Sequence, residues 1–281
     1  MPMKFCSLII MLFTSGLFAQ TQVVMEDIMF MDAPYIGEVT TTTTKYASHG
    51  FFRQESSIEV DRFLVRMAMG GNKTVGSILE GKTESRVVYN NKDEEYAQES
   101  FDAIRENDGK PTLKGMSKII SFGGRSKKDN DEKDSDGEVE EDEDKSEYER
   151  TISEPLEKVS GFEARKVTTK IKSTDGMVLI EEWFTTDTTL FQFVSEVEAE
   201  LVASYGGKKG NNPRSFSEAM LRRAEKKFES VPGRMVKYTM EMKNDDDGFK
   251  MVWELKFIKE VTFDSSDFEI FKKYDKVDKL D

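Results

Sequence analysis

One pattern near the C-terminal end constrains the fold more than any other. Val236, Tyr238, Met240 and Met242 alternate with polar neighbours. The stretch 244–248 (Asn-Asp-Asp-Asp-Gly) breaks the pattern, and Met251, Trp253, Leu255 and Phe257 alternate on the way back. Successive side chains of a strand point to opposite faces, so period two over this length predicts an antiparallel hairpin with one apolar face and one wet face.

Similar signals recur upstream. Residues 36–48 and 51–60 are rich in threonine, aromatic and β-branched side chains and flank His49-Gly50. Residues 83–89 and 94–100 flank Asn90-Asn91-Lys92-Asp93, and 161–173 and 177–186 flank Thr174-Asp175-Gly176. Asn, Asp and Gly tolerate turn backbones, so each pair predicts a hairpin. Residues 63–69 are expected to add a strand stopped by Gly70-Gly71, and 116–122 form a short apolar run.

Two segments change period. Leu190, Val194, Val197, Leu201 and Tyr205 share one helical face, and Gly206-Gly207 ends the pattern. Ser215 with Glu218 three residues on forms a capping-box signature, predicting a helix that runs to about residue 230, before Pro232-Gly233. No strand–helix–strand alternation appears. The expected architecture is α+β: a large curved antiparallel sheet, or half-open β-barrel, with helices packed across the concave face.

The front end predicts export. Met1-Pro2-Met3-Lys4, an apolar stretch over 5–18 and Ala19-Gln20 match a signal peptide over 1–19. That stretch is too short to span a bilayer, where about 20 residues are needed. Cys6 is the only cysteine and precedes the apolar stretch, so it is not placed for lipidation. The exported chain then has no cysteine and can form neither a disulfide nor a thiol nucleophile. This favours the periplasm or outer envelope of a Gram-negative bacterium. Nothing after residue 20 is apolar enough to cross a membrane as a helix.

The formal net charge is −13, but residues 129–149 hold thirteen acids and two lysines. The remainder is close to neutral. Clustered Lys and Arg, the footprint of a nucleic-acid binder, are missing. Residues 123–149 have too little apolar area to offset ordering entropy, so a disordered acidic loop is expected there. It divides one β-rich domain into halves, 20–122 and 150–281.

Candidate chemistry is sparse. His49 is the only histidine and sits in a turn, and no G-x-S-x-G motif is present. Glu132, Asp134, Asp136, Gly137, Glu138 and Glu143 fall on calcium-loop spacings, although an aspartate normally opens such a loop and flanking amphipathic helices are absent. Calcium is the one cofactor this pattern suggests; a solvated, flexible acidic loop is the favoured explanation of it. Met240, Met242, Met251, Trp253 and Leu255 form an apolar set suited to a loosely specified apolar ligand, since methionine packs adaptably. Ordinary core is the competing explanation.

Four short stretches resemble a known family. These are Gly161-Phe162-Glu163-Ala164-Arg165-Lys166-Val167, then Glu182-Trp183-Phe184-Thr185-Thr186-Asp187, then Val231-Pro232-Gly233-Arg234-Met235, and Phe268-Glu269-Ile270 with Tyr274. Together they resemble the bacterial domain-of-unknown-function family 4412, whose members are exported and often come from the Bacteroidetes. Ala164 stands where that family has Cys, and Phe271 and Lys273 where it has Pro and Gly. The resemblance implies a fold like the lipoprotein carriers, with helices across a half-open barrel, and no established activity.

The expected function is therefore a non-enzymatic envelope protein that binds a lipid or acyl chain in a half-barrel cavity. The alternatives are an interaction protein whose acidic loop engages a cationic partner or calcium, and a hydrolase using an unrecognised carboxylate pair.

Overall fold

The computed structural model describes residues 20–68, 71–113, 146–173, 176–208, 215–243 and 248–280. In chain order the elements are β1 (Thr21–Ala33), β2 (Gly37–Ser48), β3 (Phe51–Val60), α1 (Phe63–Ala68), β4 (Lys73–Glu80), β5 (Ser85–Asn90), β6 (Glu95–Ser100) and α2 (Phe101–Glu106). They continue with β7 (Glu147–Val159), β8 (Phe162–Ser173), β9 (Gly176–Thr185), α3 (Thr189–Ser204), α4 (Phe216–Arg223), β10 (Arg234–Lys243), β11 (Gly248–Thr262), a 3-10 turn (Ser265–Phe268) and β12 (Asp275–Lys276).

Among the described residues twelve strands form one curved sheet in the order β12-β6-β5-β4-β3-β2-β1-β11-β10-β9-β8-β7. Only β12 runs parallel to its neighbour, β6. The two edges, β12 and β7, do not pair, so the sheet stays open. β1 is the seam: it pairs β2 on one side and β11 on the other, joining the N-terminal and C-terminal halves.

Each face of the sheet carries different cover. On the inner face α3 lays Val194, Val197 and Leu201 onto Val23, Ala47, Phe52 and Leu79, with Phe101 and Ile104 of α2 alongside. Phe191 of the same helix meets Met25, Val236 and Leu255. The outer face is covered near β3–β6 by the C-terminal tail: Phe268 and Tyr274 pack with Ile78 and Tyr89. Beneath that tail Arg53 donates to the Tyr89 hydroxyl at 2.9 Å, to the Asp267 carbonyl at 2.8 Å and to Glu55 at 2.8 Å. Phe271, between Phe268 and Tyr274 in the chain, is 48% exposed.

The four predicted hairpins all form, as do the helix over 190–205 and the Ser215 cap. Three expectations need correction. Residues 63–69 are not a strand: 63–68 form α1, entered by Asp61, whose carboxylate accepts from the Arg62 and Glu38 amides. The chain must reverse here so that β4 can take the place beside β3, and Leu, Arg and Met are good helix formers. The helix begun at Ser215 ends at Arg223, not near 230, because Glu225 turns into a left-handed conformation at φ 52°. Phe257 does not share the face of Leu255. A bulge opposite Glu26/Asp27 leaves Lys256 unmatched and turns Ile258 inward instead. In addition, β7 starts at Glu147, inside the C-terminal margin of the expected acidic loop.

Candidate functional site

Strand register fixes which side chains line up across the inner face. One row crosses from β7 to β3 as Arg150, Thr169, Ile180, Met240, Met251, Met31, Val39 and Val60. The next reads Ile152, Val167, Glu182, Tyr238, Trp253, Met29, Thr41 and Ile58. A third begins Tyr148, Ile171, Val178, Met242 and Phe249. From Arg150 to Met31 is five strand spacings, or about 24 Å.

These rows lie beyond the footprint of α3. Met29, Met242, Phe249, Met251 and Trp253 keep part of their surface in solvent. Leu255, by contrast, has 0% exposure beneath Phe191, so it serves the core and not the open surface. Met240 is also buried, packed with Ile171 and Ile180 and approached by Met220 of α4. Of the five residues singled out for an apolar site, the structure therefore brings Met242, Met251 and Trp253 to one open surface. Met240 lies under its roof and Leu255 outside it. Glu132, Asp134, Asp136, Glu138 and Glu143 lie outside the described residues.

An aromatic ladder borders the trough. Phe216 stacks on Tyr238 at 6.0 Å and Tyr238 on Trp253 at 6.2 Å. Burial, with Glu182 nearby, pushes the Tyr238 phenol up to about 12. The Trp253 indole donates to Asp27 at 3.0 Å. Asp27 is 8% exposed. Burial raises its carboxyl above the ordinary value, more than the indole hydrogen bond lowers it.

The sign of that shift makes a prediction. The folded chain holds the Asp27 proton where the unfolded chain has released it. The resulting stability is complete below the unfolded value and is lost as pH rises through the folded one. At neutral pH the carboxylate is a burden. Asp27→Asn keeps an oxygen for the indole and removes the charge, so its melting temperature should exceed that of the parent at pH 7. The gain should disappear in acid. Thermal melts across pH test this, and a lower melting temperature for the variant at pH 7 would sink it.

α4 is held over the β8–β9 end of the trough by a buried polar network. Glu182 has 0% exposure. Its carboxylate accepts from the Ser215 hydroxyl at 3.0 Å, the Phe216 amide at 2.6 Å, the Ser217 amide at 3.3 Å and the Ser217 hydroxyl. Ser215 in turn accepts from the Glu218 amide at 3.0 Å, capping the helix. Glu218 does not complete the reciprocal capping box; it pairs with Arg150 at 3.2 Å. Arg150 also donates to Ser217 at 2.7 Å and Thr169 at 3.1 Å. Sequence reasoning missed Arg150 and Asp27 entirely, since no motif surrounds them. Glu182 was visible only as the first residue of the tryptophan-strand stretch.

Two positions in the stretches that carried the family resemblance, Ala164 and Gly233, are set by packing. Ala164 has 0% exposure, and a side chain at Gly233 would strike the Thr185 carbonyl. Among the described residues no group of three or more His, Cys, Asp or Glu is placed to hold a metal ion, and no helix is long and apolar enough to cross a membrane.

No protein-family model matches the chain, and no curated protein does. Two solved structures are similar in outline. One is a DUF1329 family protein from Desulfovibrio piger, 14% identical, with a TM-score of 0.26, covering 88% of this chain and 89% of that one. The other is a LolA superfamily protein from Nitrosomonas europaea, 10% identical, with a TM-score of 0.23, covering 90% and 91%.

Proposed function

We propose that this chain is an exported envelope protein that holds an apolar ligand, a lipid or an acyl chain, on the uncovered half of its inner face. It acts by binding and not by catalysis. One observation carries the reading: α3 seals half of the inner face, while Met29, Met242, Phe249, Met251 and Trp253 remain partly open on the other half. An apolar surface left partly open to water supports a binding role. Methionine-rich walls suit ligands of variable shape. Membership of the domain-of-unknown-function family 4412, a Bacteroidetes origin and a periplasmic location belong to the same proposal.

Extraction of the purified protein followed by mass spectrometry should release a lipid or fatty acid. An apolar fluorescent probe should bind and be displaced by it. Met251→Asp places a carboxylate on the trough floor, where desolvation is costly. Probe affinity should fall at least about tenfold, or about 1.4 kcal/mol. Absence of both co-purifying lipid and probe binding would reject the reading.

A further inference from the structure

At the β7 edge one row of the trough ends in a charged residue, Arg150, between Tyr148 and Ile152. There the Arg150 row meets a cleft of about 630 Å³ between β7 and the segment that follows α4. Tyr148 and Leu221 line it, with Phe228 as its outer wall. Tyr148 also packs against the Met240 cluster, so one residue borders both the cleft and the roofed end of the trough.

The cleft is cationic. Lys226 and Lys227 line it together with Arg150, whose charge Glu218 balances, and Glu229 is the one acid among its described lining residues. Neither lysine takes part in an ion pair among the described residues. The Lys226 ammonium lies 5.3 Å from the Tyr148 ring centre, and the Arg150 guanidinium 5.7 Å from that of Phe228. Cations held over aromatic faces are ordered without having their charge neutralised.

Arg150 adds an independent sign. Its side chain is only 10% exposed, and its Nε–H is buried with no hydrogen-bond partner. Its other two nitrogens are engaged by Ser217, Thr169 and Glu218. Buried guanidinium donors are normally satisfied, so the fold leaves one unmet donor in a residue that lines the cleft.

Building on the trough reading, we infer that this cleft binds the anionic headgroup of the ligand. The ligand class is then a single-chain amphiphile with a terminal carboxylate or phosphate. Its head sits among Arg150, Lys226 and Lys227, and its chain runs over Tyr148 toward the methionine rows. The direction follows from the row itself, which is apolar from Ile180 to Val60 and charged only at Arg150.

The test compares oleate, lysophosphatidic acid and oleyl alcohol on the intact exported chain and on Lys226→Gln/Lys227→Gln. Arg150 is left in place because it also holds α4, whereas both lysines are exposed. Calorimetry should show at least one anionic amphiphile binding about tenfold or more tighter than the alcohol. The double variant should reduce that preference to about threefold or less, leave alcohol binding unchanged, and weaken the salt dependence. Tighter binding of lysophosphatidic acid than oleate would assign a phosphate head, and the reverse a carboxylate. Equal binding of the alcohol and both anions, or a double variant that keeps the full preference, overturns the inference. So does acetate or inorganic phosphate competing as well as the amphiphiles. If all three amphiphiles bind equally and Met251→Asp abolishes them, the trough reading survives alone. If none binds, both fall together.

Discussion

Glu182→Ala is expected to destabilise the protein by about 3–5 kcal/mol, because a buried network loses the acceptor at its centre. Two amides and two hydroxyls at the start of α4 converge on that carboxylate. A buried donor left without a partner costs about 1–3 kcal/mol, and partial relaxation keeps the total below the simple sum. Arg150 is affected at one remove, since Ser217 bridges it to Glu182. Glu182→Gln retains one acceptor oxygen and should cost clearly less. Urea unfolding measures both, since the midpoint shift at constant slope reports stability. A change below about 1 kcal/mol for the alanine variant would show that α4 is held by its apolar contacts alone. The same variant should also loosen the roof of the trough, so probe binding should weaken even where the fold survives.

Phe101→Ala is expected to cost a similar amount, about 3–5 kcal/mol, by opening a cavity in the main core. Phe101 has 0% exposure, meets Tyr205 edge-on at 5.2 Å and shares a cluster with Ile104, Val194, Val197 and Leu201. It is the point where α2 and α3 both rest on the sheet. Leu64→Ala is the control: that side chain is 78% exposed, and a surface change of this kind should stay within about 0.5 kcal/mol. Thermal or denaturant unfolding of the pair settles the contrast, and equal destabilisation would contradict the assignment of the core.

Some strands declare themselves in sequence and some do not. β10 alternates Val236, Tyr238, Met240 and Met242 inward against lysine, threonine and glutamate outward, so its local pattern matches its environment. β1 does not alternate. Val23, Met25, Met29 and Met31 face inward, but Val24, Ile28 and Phe30 on the other side are apolar too. A strand central to a wide sheet can be apolar on both faces, and periodicity then loses its signal. β7 fails for the opposite reason. It is an edge strand with four glutamates, one arginine and one lysine, interrupted at Pro155, a composition that protects an edge from aggregation. In α1 the alternation of Phe63, Val65 and Met67 mimics a strand, yet only Val65 packs.

The candidate site divides the same way. The methionine and tryptophan side chains of the last hairpin were legible because period two assigns them to one face. Which of them stay open depended on where α3 comes to rest, 50 or so positions earlier in the sequence. The bulge at Lys256 then decided that Ile258, and not Phe257, turns inward.

By itself the sequence determined an antiparallel α+β chain with four hairpins, a helix over 190–205 and a cap at Ser215. Each of these is a local matter of side-chain period, turn backbone or the first amides of a helix. Only the tertiary structure decided the order of strands in the sheet, that Met29, Met242, Met251 and Trp253 stay partly open beyond α3 among the described residues, and that Arg150 stands at the end of the apolar row. Those facts depend on register between strands that are distant in the chain. A carboxylate such as Glu182 looks like any surface acid until the fold closes around it.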